Sequence, residues 1–306
     1  MKKDLLSIAD LSADEIAGLM ETAVSLKNRN TNSPELAGCS LALIFEKPSL
    51  RTRVSFDLAM WQLGGHVVYL SPAEVGMGTR EPVKDIAYVL GRYVSGIAAR
   101  TMSHHTLVEL AEHSAVPIIN ALSDEEHPCQ ALADLLTIYE VKGEIRGITL
   151  AYIGDGNNVA NSLLYTAAKM GMNFRIASPA GYSISAERLT AALAMAQVSG
   201  AQISCVNDPE EALDCADVVY TDVWTSMGQE AERHGRRDAF AGYQINIPIL
   251  SKANKDAIIM HPLPAHHGEE VAEDLIYSSN SEVFRQAENR LHAQKALLLE
   301  LLGNRD

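Results

Sequence analysis

The run from Phe45 to Phe56 combines basic side chains, hydroxyl groups and a predicted helix start. An apolar strand ends there in Ser49, Thr52 and two arginines, just where helical periodicity begins. The free N–H groups of a first helical turn, hydroxyl donors and guanidinium forks together bind phosphate strongly. A solvated first turn is the alternative, but arginine is a poor choice beside the positive end of a helix dipole. The run therefore predicts an anion-binding loop.

Two further segments place polar groups after predicted strands. Arg100 ends the strand that begins at Gly96, and the run His127–Gln130 opens a helix after a third strand. Because ligands gather at the carboxyl ends of parallel strands, we expect both segments to converge with Ser49 and its neighbours on one crevice. Each signal is weak alone: such an arginine is often an ion-pair partner, a histidine before proline is often structural, and Cys129 is typical of a small packing residue.

In the second half, the run Gly154–Asn158 follows a strand and opens a helix, as a dinucleotide fingerprint does. The pattern fails because Val159 occupies the third glycine position and the next strand ends at Ser178 instead of a carboxylate. Asparagine side chains displayed at a sheet edge favour a polar small molecule that carries an amine or a carboxylate.

Two more segments with polar residues follow predicted strands, at 222–228 and 261–266. A carboxylate such as Asp222 can bind an ammonium group while Ser226 and nearby amides hold a carboxylate, so this pattern predicts an amino-acid site. A metal site is the rival interpretation for the neighbouring histidines and glutamates. Their spacing matches no helical ligand motif, and we expect neither a metal nor a cofactor. The residues of this rival site are His261, His266, His267, Glu269 and Glu270.

The alternation of short apolar runs with amphipathic stretches predicts an α/β fold. Ser12 and Glu15 form a capping box that starts a helix to about residue 27. We expect two domains, residues 1–143 and 144–282, each with a central parallel sheet flanked by helices, and a C-terminal helix at 283–302 that crosses back to the first domain. The expected strands are 40–45, 66–70, 96–99, 116–120, 148–153, 173–177, 203–206, 218–221 and 257–260.

The composition of the chain argues against a nucleic-acid-binding, membrane-spanning or secreted protein. The chain has 306 residues and a net charge of −14, which opposes non-specific binding to nucleic acid or to anionic lipid. No apolar run is long enough for a membrane span. The four cysteines form no CxxC pair, and the first residues lack the apolar core of a signal peptide, so we expect a cytoplasmic protein.

From about Leu5 to Leu302 the chain resembles the aspartate/ornithine carbamoyltransferase family, and its ornithine branch in particular. The run Ser49–Arg53 resembles the family's S-x-R-T-R carbamoyl-phosphate loop, and His127–Gln130 is identical to its H-P-C-Q motif. The Ser-Met-Gly element at 226–228 is similar to that of the ornithine branch, and 286–290 resembles the family's C-terminal element. The resemblance implies transfer of a carbamoyl group from carbamoyl phosphate to the side-chain amine of ornithine, giving citrulline and phosphate.

The resemblance also assigns roles to individual residues. It implies that the phosphate is bound mainly by the amides of the Ser49 loop and by the Arg51 guanidinium, and that Thr52, His127 and Arg290 surround the carbonyl oxygen. It implies catalytic roles for Asp222, Arg51, Thr52, His127 and Arg290. The implied carbamoyl-phosphate set is Ser49, Leu50, Arg51, Thr52, Arg100, His127, Pro128, Gln130, Pro262, Leu263 and Arg290, and the implied ornithine set is Asn158, Asp222, Ser226 and Met227.

Two positions depart from the ornithine branch. Pro262 stands where that branch usually has a cysteine, as in the aspartate branch, and Gly76 stands where a glutamine often reaches the neighbouring subunit's phosphate. Against aspartate as substrate stand the intact Ser-Met-Gly element and Ala265, where the aspartate branch has an arginine. The resemblance further implies a homotrimer or a multiple of trimers.

Three alternatives remain open at this point. The first is a carbamoyltransferase for a related amine, putrescine or an acylated ornithine, although those branches typically alter the Ser-Met-Gly element. The second is a paralogue that binds carbamoyl phosphate with weak catalysis. The third is a nucleotide-dependent oxidoreductase built on the run Gly154–Asn158. Turnover with another amine but not with ornithine would indicate the first alternative. Binding of carbamoyl phosphate without product would indicate the second, and NAD(P) binding would indicate the third.

Overall fold

The computed structural model describes residues 3–29, 34–226 and 228–303. The chain forms two compact units, one made of residues 1–136 and 288–306 and the other of residues 137–287. In the described part of the chain, no helix has the length and apolar character needed to cross a membrane.

The first unit is built on a four-stranded parallel sheet with the order β2-β1-β3-β4. Its strands are β1 Ser40–Phe45, β2 His66–Leu70, β3 Gly96–Arg100 and β4 Ile118–Leu122. Its helices are α1 Ala13–Arg29, α2 Leu50–Gln62, α3 Pro72–Val75, α4 Val83–Leu90, α5 His104–His113 and the first part of α6 Pro128–Lys142. Buried aliphatic side chains such as Ile44, Ile97, Leu107 and Ile118 form a core between sheet and helices.

The second unit has a five-stranded parallel sheet with the order β7-β6-β5-β8-β9. Its strands are β5 Thr149–Ile153, β6 Asn173–Ala177, β7 Ile203–Val206, β8 Val218–Thr221 and β9 Ile258–Met260. Its helices are α7 Asn158–Met170, α8 Ala186–Ser199, α9 Pro209–Leu213, α10 Arg233–Ala239, α11 Ile247–Leu250 and the start of α12 Val283–Leu302. Its core includes Ile153, Val219, Ile259 and Val271.

The predicted α/β class, with two parallel sheets flanked by helices, is confirmed. Strand β4 is two residues later than predicted, because Ser114 Oγ closes a turn on the N–H and C=O of Val116 and Pro117 has no N–H to donate. The Ser12–Glu15 capping box is present, with Ser12 N donating to Glu15 Oε2 at 2.8 Å. Helix α6 runs from Pro128 to Lys142.

The last helix joins the first unit as predicted. Lys27 Nζ on α1 donates to Asn289 Oδ1 at 2.7 Å, and Lys295 Nζ donates to Gln62 Oε1 at 3.0 Å. Near the end of α12, Ala296, Leu297 and Leu298 are buried. Polar contacts and apolar packing therefore both fix the second half of α12 within this unit.

Candidate active site

The loop at the start of α2 supplies the first group of polar atoms. Ser49 is the N-cap of the helix, and its Oγ accepts from Thr52 N at 3.3 Å and donates to Thr52 Oγ1 at 2.9 Å. Arg290 Nη2 donates to the same Thr52 oxygen at 2.5 Å. Because Thr52 Oγ1 accepts from both neighbours, its own proton is left to donate to an anion.

Three guanidinium groups lie close together in the first unit. Burial, then repulsion by Arg290 and Arg51, lowers the pKa of Arg100 to about 10. Burial also lowers the pKa of Arg51, which has no carboxylate partner among the residues that the structure describes. Adjacent buried positive charges destabilise one another unless an anion offsets them. The cluster is therefore built for a ligand with strong negative charge.

Helix α6 brings His127 and Gln130 to the same end of the sheet. Strands β1, β3 and β4 are neighbours, so their carboxyl ends carry the Ser49 loop, Arg100 and the segment before α6 along one edge. Burial, followed by the charges of Arg290 and Arg100, holds the pKa of His127 well below its usual range. The imidazole is therefore neutral near pH 7 and can donate one N–H.

A support beneath this loop escaped the sequence analysis. Glu126 is buried beside His127, where its carboxylate accepts from Ser7 Oγ and, at 3.1 Å, from Ile8 N. Asn120 Nδ2 donates to Leu6 O at 2.8 Å. These contacts tie the N-terminal segment to the turn that presents His127. No motif announces them, because their partners lie more than a hundred residues apart.

In the second unit, the carboxyl ends of β5 and β8 are joined by a hydrogen-bonded pair. Asn157 caps α7, with Oδ1 accepting from Val159 N and Ala160 N, while its Nδ2 donates to Asp222 Oδ2 at 2.8 Å. Asp222 Oδ1 accepts from Val223 N at 2.8 Å. Burial raises the pKa of Asp222, which is only 8% exposed. A buried carboxylate of this kind gains most from a cationic partner.

The loop after Asp222 is fixed by an arginine that sequence reasoning missed. Arg236 Nη1 donates to Asp155 Oδ2 at 2.7 Å and to Trp224 O at 3.0 Å, and Arg236 Nε donates to Glu232 at 3.0 Å. Both members of the Arg236–Asp155 pair are buried. The ion pair therefore connects the turn after β5 to the loop after β8, and only the fold brings them together.

We expect the Arg236→Met variant to be strongly destabilised. It leaves Asp155 charged, buried and without its cation, a change that typically costs about 3–5 kcal/mol. The fall in the thermal unfolding midpoint should be larger at pH 7 than near pH 4.5, because a protonated Asp155 needs no cation and burial raises its pKa. The Arg236→Met/Asp155→Asn double variant should recover part of the loss. Unfolding of the single variant at the wild-type midpoint would contradict this.

The segment after β9 forms a network of hydrogen bonds and ion pairs. His261 Nε2 donates to Glu270 Oε1 at 3.1 Å, and His261 Nδ1 accepts from Leu263 N at 2.9 Å. His266, Glu269 and Glu270 each place one potential metal-ligand atom within 4.8 Å of the others, as the rival metal interpretation requires. However, Arg233 Nη2 lies 2.7 Å from Glu269 Oε1, so a cation already occupies that side of the cluster.

The structure groups most, but not all, of the expected carbamoyl-phosphate residues in the first unit. Leu50 is 75% exposed at the start of α2, and Pro128 is buried at the start of α6. Pro262 and Leu263 belong to the second unit. The grouped residues are Ser49, Leu50, Arg51, Thr52, Arg100, His127, Pro128, Gln130 and Arg290.

Of the expected ornithine set, Asn158, Asp222 and Ser226 lie in the second unit. Asn158 opens α7 one residue after the cap, and Ser226 N donates to Gln229 Oε1 at 3.1 Å. Met227 lies outside the described residues. Of the two departures, Gly76 has φ +56°, and a Cβ there would lie 2.7 Å from Arg80 Cβ. A glutamine at position 76 would therefore require this loop or the Arg80 side chain to move.

Both halves of the chain match models of one known protein family. Residues 3–140 match the carbamoyl-P binding domain of aspartate/ornithine carbamoyltransferase, and residues 146–301 match its Asp/Orn binding domain. A relative named ornithine carbamoyltransferase from Anoxybacillus flavithermus is 52% identical, with 98% of this chain and 96% of the relative covered. One from Archaeoglobus fulgidus is 50% identical, with 98% of each chain covered.

Solved structures are similarly close. The ornithine carbamoyltransferase from Pyrococcus furiosus superimposes with a TM-score of 0.97 at 47% identity, covering 100% of this chain and 98% of that one. The anabolic ornithine carbamoyltransferase from Campylobacter jejuni gives 0.94 at 44% identity, with 98% of each chain covered. Since both family domains match in order and full-length relatives share about half of their residues with it, the chain belongs to the aspartate/ornithine carbamoyltransferase family.

Proposed function

We propose that the protein transfers the carbamoyl group of carbamoyl phosphate to the side-chain amine of L-ornithine, giving L-citrulline and phosphate. The observation that carries this proposal is the cluster of Arg51, Arg100 and Arg290 in the first unit, in which Arg290 also donates to Thr52. The names of full-length relatives at about 50% identity support ornithine as the acceptor.

In this proposal the phosphate group binds at the start of α2. In this proposal the N–H groups at the start of α2 face the phosphate, and Arg51 and Arg100 supply charge-assisted donors. The division of the chain into a donor domain at 1–143 and an acceptor domain at 144–282 remains part of the proposal.

The carbonyl oxygen of the donor lies, in this proposal, among Thr52, His127 and Arg290. That oxygen gains negative charge as the amine adds to the carbonyl carbon, and donors already in place stabilise the charge without reorganisation. The neutral His127 and the Thr52 hydroxyl then act as hydrogen-bond donors beside the Arg290 charge.

Ornithine binds to the second unit in this proposal, with Asp222 and Asn158 beside its amino groups and with Ser226 and Met227 as further ornithine-binding residues. A neutral amine attacks the carbonyl carbon, a C–N bond forms, the C–O bond to phosphate breaks, and the departing phosphate takes the proton. Holding both reactants in place can contribute about 7–11 kcal/mol to the lowering of the barrier.

Citrulline formation from carbamoyl phosphate tests the proposal. We expect turnover with L-ornithine and at least about tenfold lower kcat/KM with aspartate, putrescine or an N-acylated ornithine. Preferred turnover of one of these amines would reassign the acceptor. Tight phosphonoacetamide binding without any product would instead favour a binding paralogue. In the proposed enzyme Pro262 supplies no thiol, so a cysteine at that position is not required.

The assembly and the location belong to the same proposal. One face of α2 is apolar and exposed, with Val54, Leu58 and Trp61 spaced like residues on one side of a helix. We propose that this face packs against a second copy of the chain, in a homotrimer or a multiple of trimers. The four cysteines are free, which agrees with a reducing cytoplasm.

Trp61→Glu is expected to break this assembly. Trp61 is 62% exposed in the single chain, so a charge there costs little in the monomer but is buried in the proposed contact. Sedimentation at micromolar concentration should give a trimer-sized species for the wild type and a single chain for the variant. His105→Glu, at the start of α5, should leave the mass unchanged. A wild-type monomer, or a variant with unchanged mass, would contradict the interface.

A further inference from the structure

The side-chain amide of Gln130 is buried, and a neighbouring residue fixes which of its two ends is free to bind a ligand. Gln130 Nε2 donates to Asp134 Oδ1 at 2.8 Å, and both side chains are buried, at 1% and 0% exposure. They lie one turn apart on the same face of α6. A carboxylate offers only acceptors, so it holds the NH2 end of the amide.

The other end of this amide is left without a partner. Gln130 Oε1 is buried and accepts no hydrogen bond from the residues that the structure describes. A buried acceptor without a donor is unfavourable. Gln130 lies in the first turn of α6, where its N–H donates to His127 O at 3.0 Å, and His127 in turn lies near the charges of Arg290 and Arg100.

Gln130 Oε1 is an acceptor without a partner among the described residues, on the helix that begins directly after His127. Arg51, Arg100 and Arg290 present only N–H groups. They suit the phosphate and carbonyl oxygens of an acyl phosphate, but they cannot bind its remaining substituent. In a carbamoyl donor that substituent is NH2, which needs an acceptor. In an acetyl donor it is a methyl group, which would leave Oε1 unpaired.

We propose that Asp134 is a positioning residue that fixes the Gln130 amide with its oxygen toward the acyl group, and so makes the site select carbamoyl over acetyl donors. The inference rests on the proposed function and deepens it by naming a residue, outside the family motif, that sets donor specificity. Without Asp134 the amide is free to present either end.

Two unreactive ligands isolate this effect. Phosphonoacetamide and acetonylphosphonate share the phosphonate and the carbonyl group and differ only in NH2 against CH3. Calorimetry on the wild-type protein should show phosphonoacetamide binding about 10- to 100-fold more tightly. In Asp134→Asn, whose amide can pair with either end of Gln130, the ratio should fall below about threefold, mainly through weaker phosphonoacetamide binding.

Controls separate orientation from folding. Gln130→Met should also bring the ratio of phosphonoacetamide to acetonylphosphonate affinity near one. Asp134→Leu replaces Asp134→Asn in the experiment if the asparagine variant does not fold. Asp4→Asn, the same change at a carboxylate that accepts from Ile118 N, should keep the wild-type ratio. Equal weakening of both ligands by Asp134→Asn would overturn the inference. So would a wild-type ratio near one, which leaves the proposed function intact, whereas failure of both ligands to bind the wild type would refute the two together.

Discussion

The Arg51→Ala variant is expected to lose about 10²- to 10³-fold in affinity for carbamoyl phosphate while keeping its fold. Arg51 is partly buried at the start of α2, and it contributes charge to the cluster with Arg100 and Arg290. Removing one member of a hydrogen-bonded charge pair costs about 2–5 kcal/mol. Removing it from the free protein, in contrast, relieves repulsion. Titration with phosphonoacetamide and thermal unfolding measure the two effects separately.

Arg53→Ala is the matched control for this prediction. Arg53 lies two residues further along the same helix, but its guanidinium carbon lies 3.7 Å from the centre of the Tyr69 ring. It therefore has a partner of its own. We expect the affinity of the Arg53→Ala variant for phosphonoacetamide to stay within about threefold of the wild type. Equal losses in the two variants would indicate a general electrostatic effect, and an undiminished affinity in Arg51→Ala would count against the proposed pocket.

Asp222→Asn is expected to raise KM for ornithine by about 10²-fold without changing phosphonoacetamide affinity. The substitution removes the only charge of the Asp222–Asn157 pair. It also sets two amides against each other, so that one donor can face another. A carboxylate lost beside a cationic group typically costs about 2–5 kcal/mol. Steady-state kinetics with ornithine as the varied substrate measure the effect.

Asp217→Asn is the control at the opposite end of the same strand. Asp217 Oδ2 accepts from Thr149 N and its Oδ1 accepts from Asn254 Nδ2, both at 2.8 Å, so it is an equally well bonded carboxylate in the same unit. We expect it to lower the unfolding midpoint and leave KM unchanged. A KM for ornithine that moves as much in this variant as in Asp222→Asn would show that the effect is one of folding.

The fold was readable because its signals are local. Strands such as Ser40–Phe45 and His66–Leu70 are short apolar runs between helical patterns, and the structure has both at the predicted residues. Strand β4 was misplaced because Ser114 closes a turn through its side chain, a contact that periodicity does not report. Boundaries set by side-chain hydrogen bonds escape a hydrophobic pattern.

The site was readable only where its chemistry is contiguous in sequence. The Ser49 loop is recognisable in the sequence because hydroxyl groups, arginines and a helix start fall within a few residues. The residues that hold the site in place are not recognisable in this way. Glu126 meets Ser7 and Arg236 meets Asp155 only after folding, so neither pair leaves a local signal. The Asp134–Gln130 contact spans one turn, but the sequence does not show that the two side chains meet or that Gln130 Oε1 is left buried without a partner in the described part of the chain.

A crystal structure with phosphonoacetamide tests the central proposal most directly. The phosphonate is expected at the start of α2, with its oxygens within about 3.2 Å of the Arg51 guanidinium and of the Ser49–Thr52 amides, and with the ligand's NH2 group on Gln130 Oε1. A ligand bound elsewhere, with the Arg51 guanidinium pointing into solvent, would contradict it.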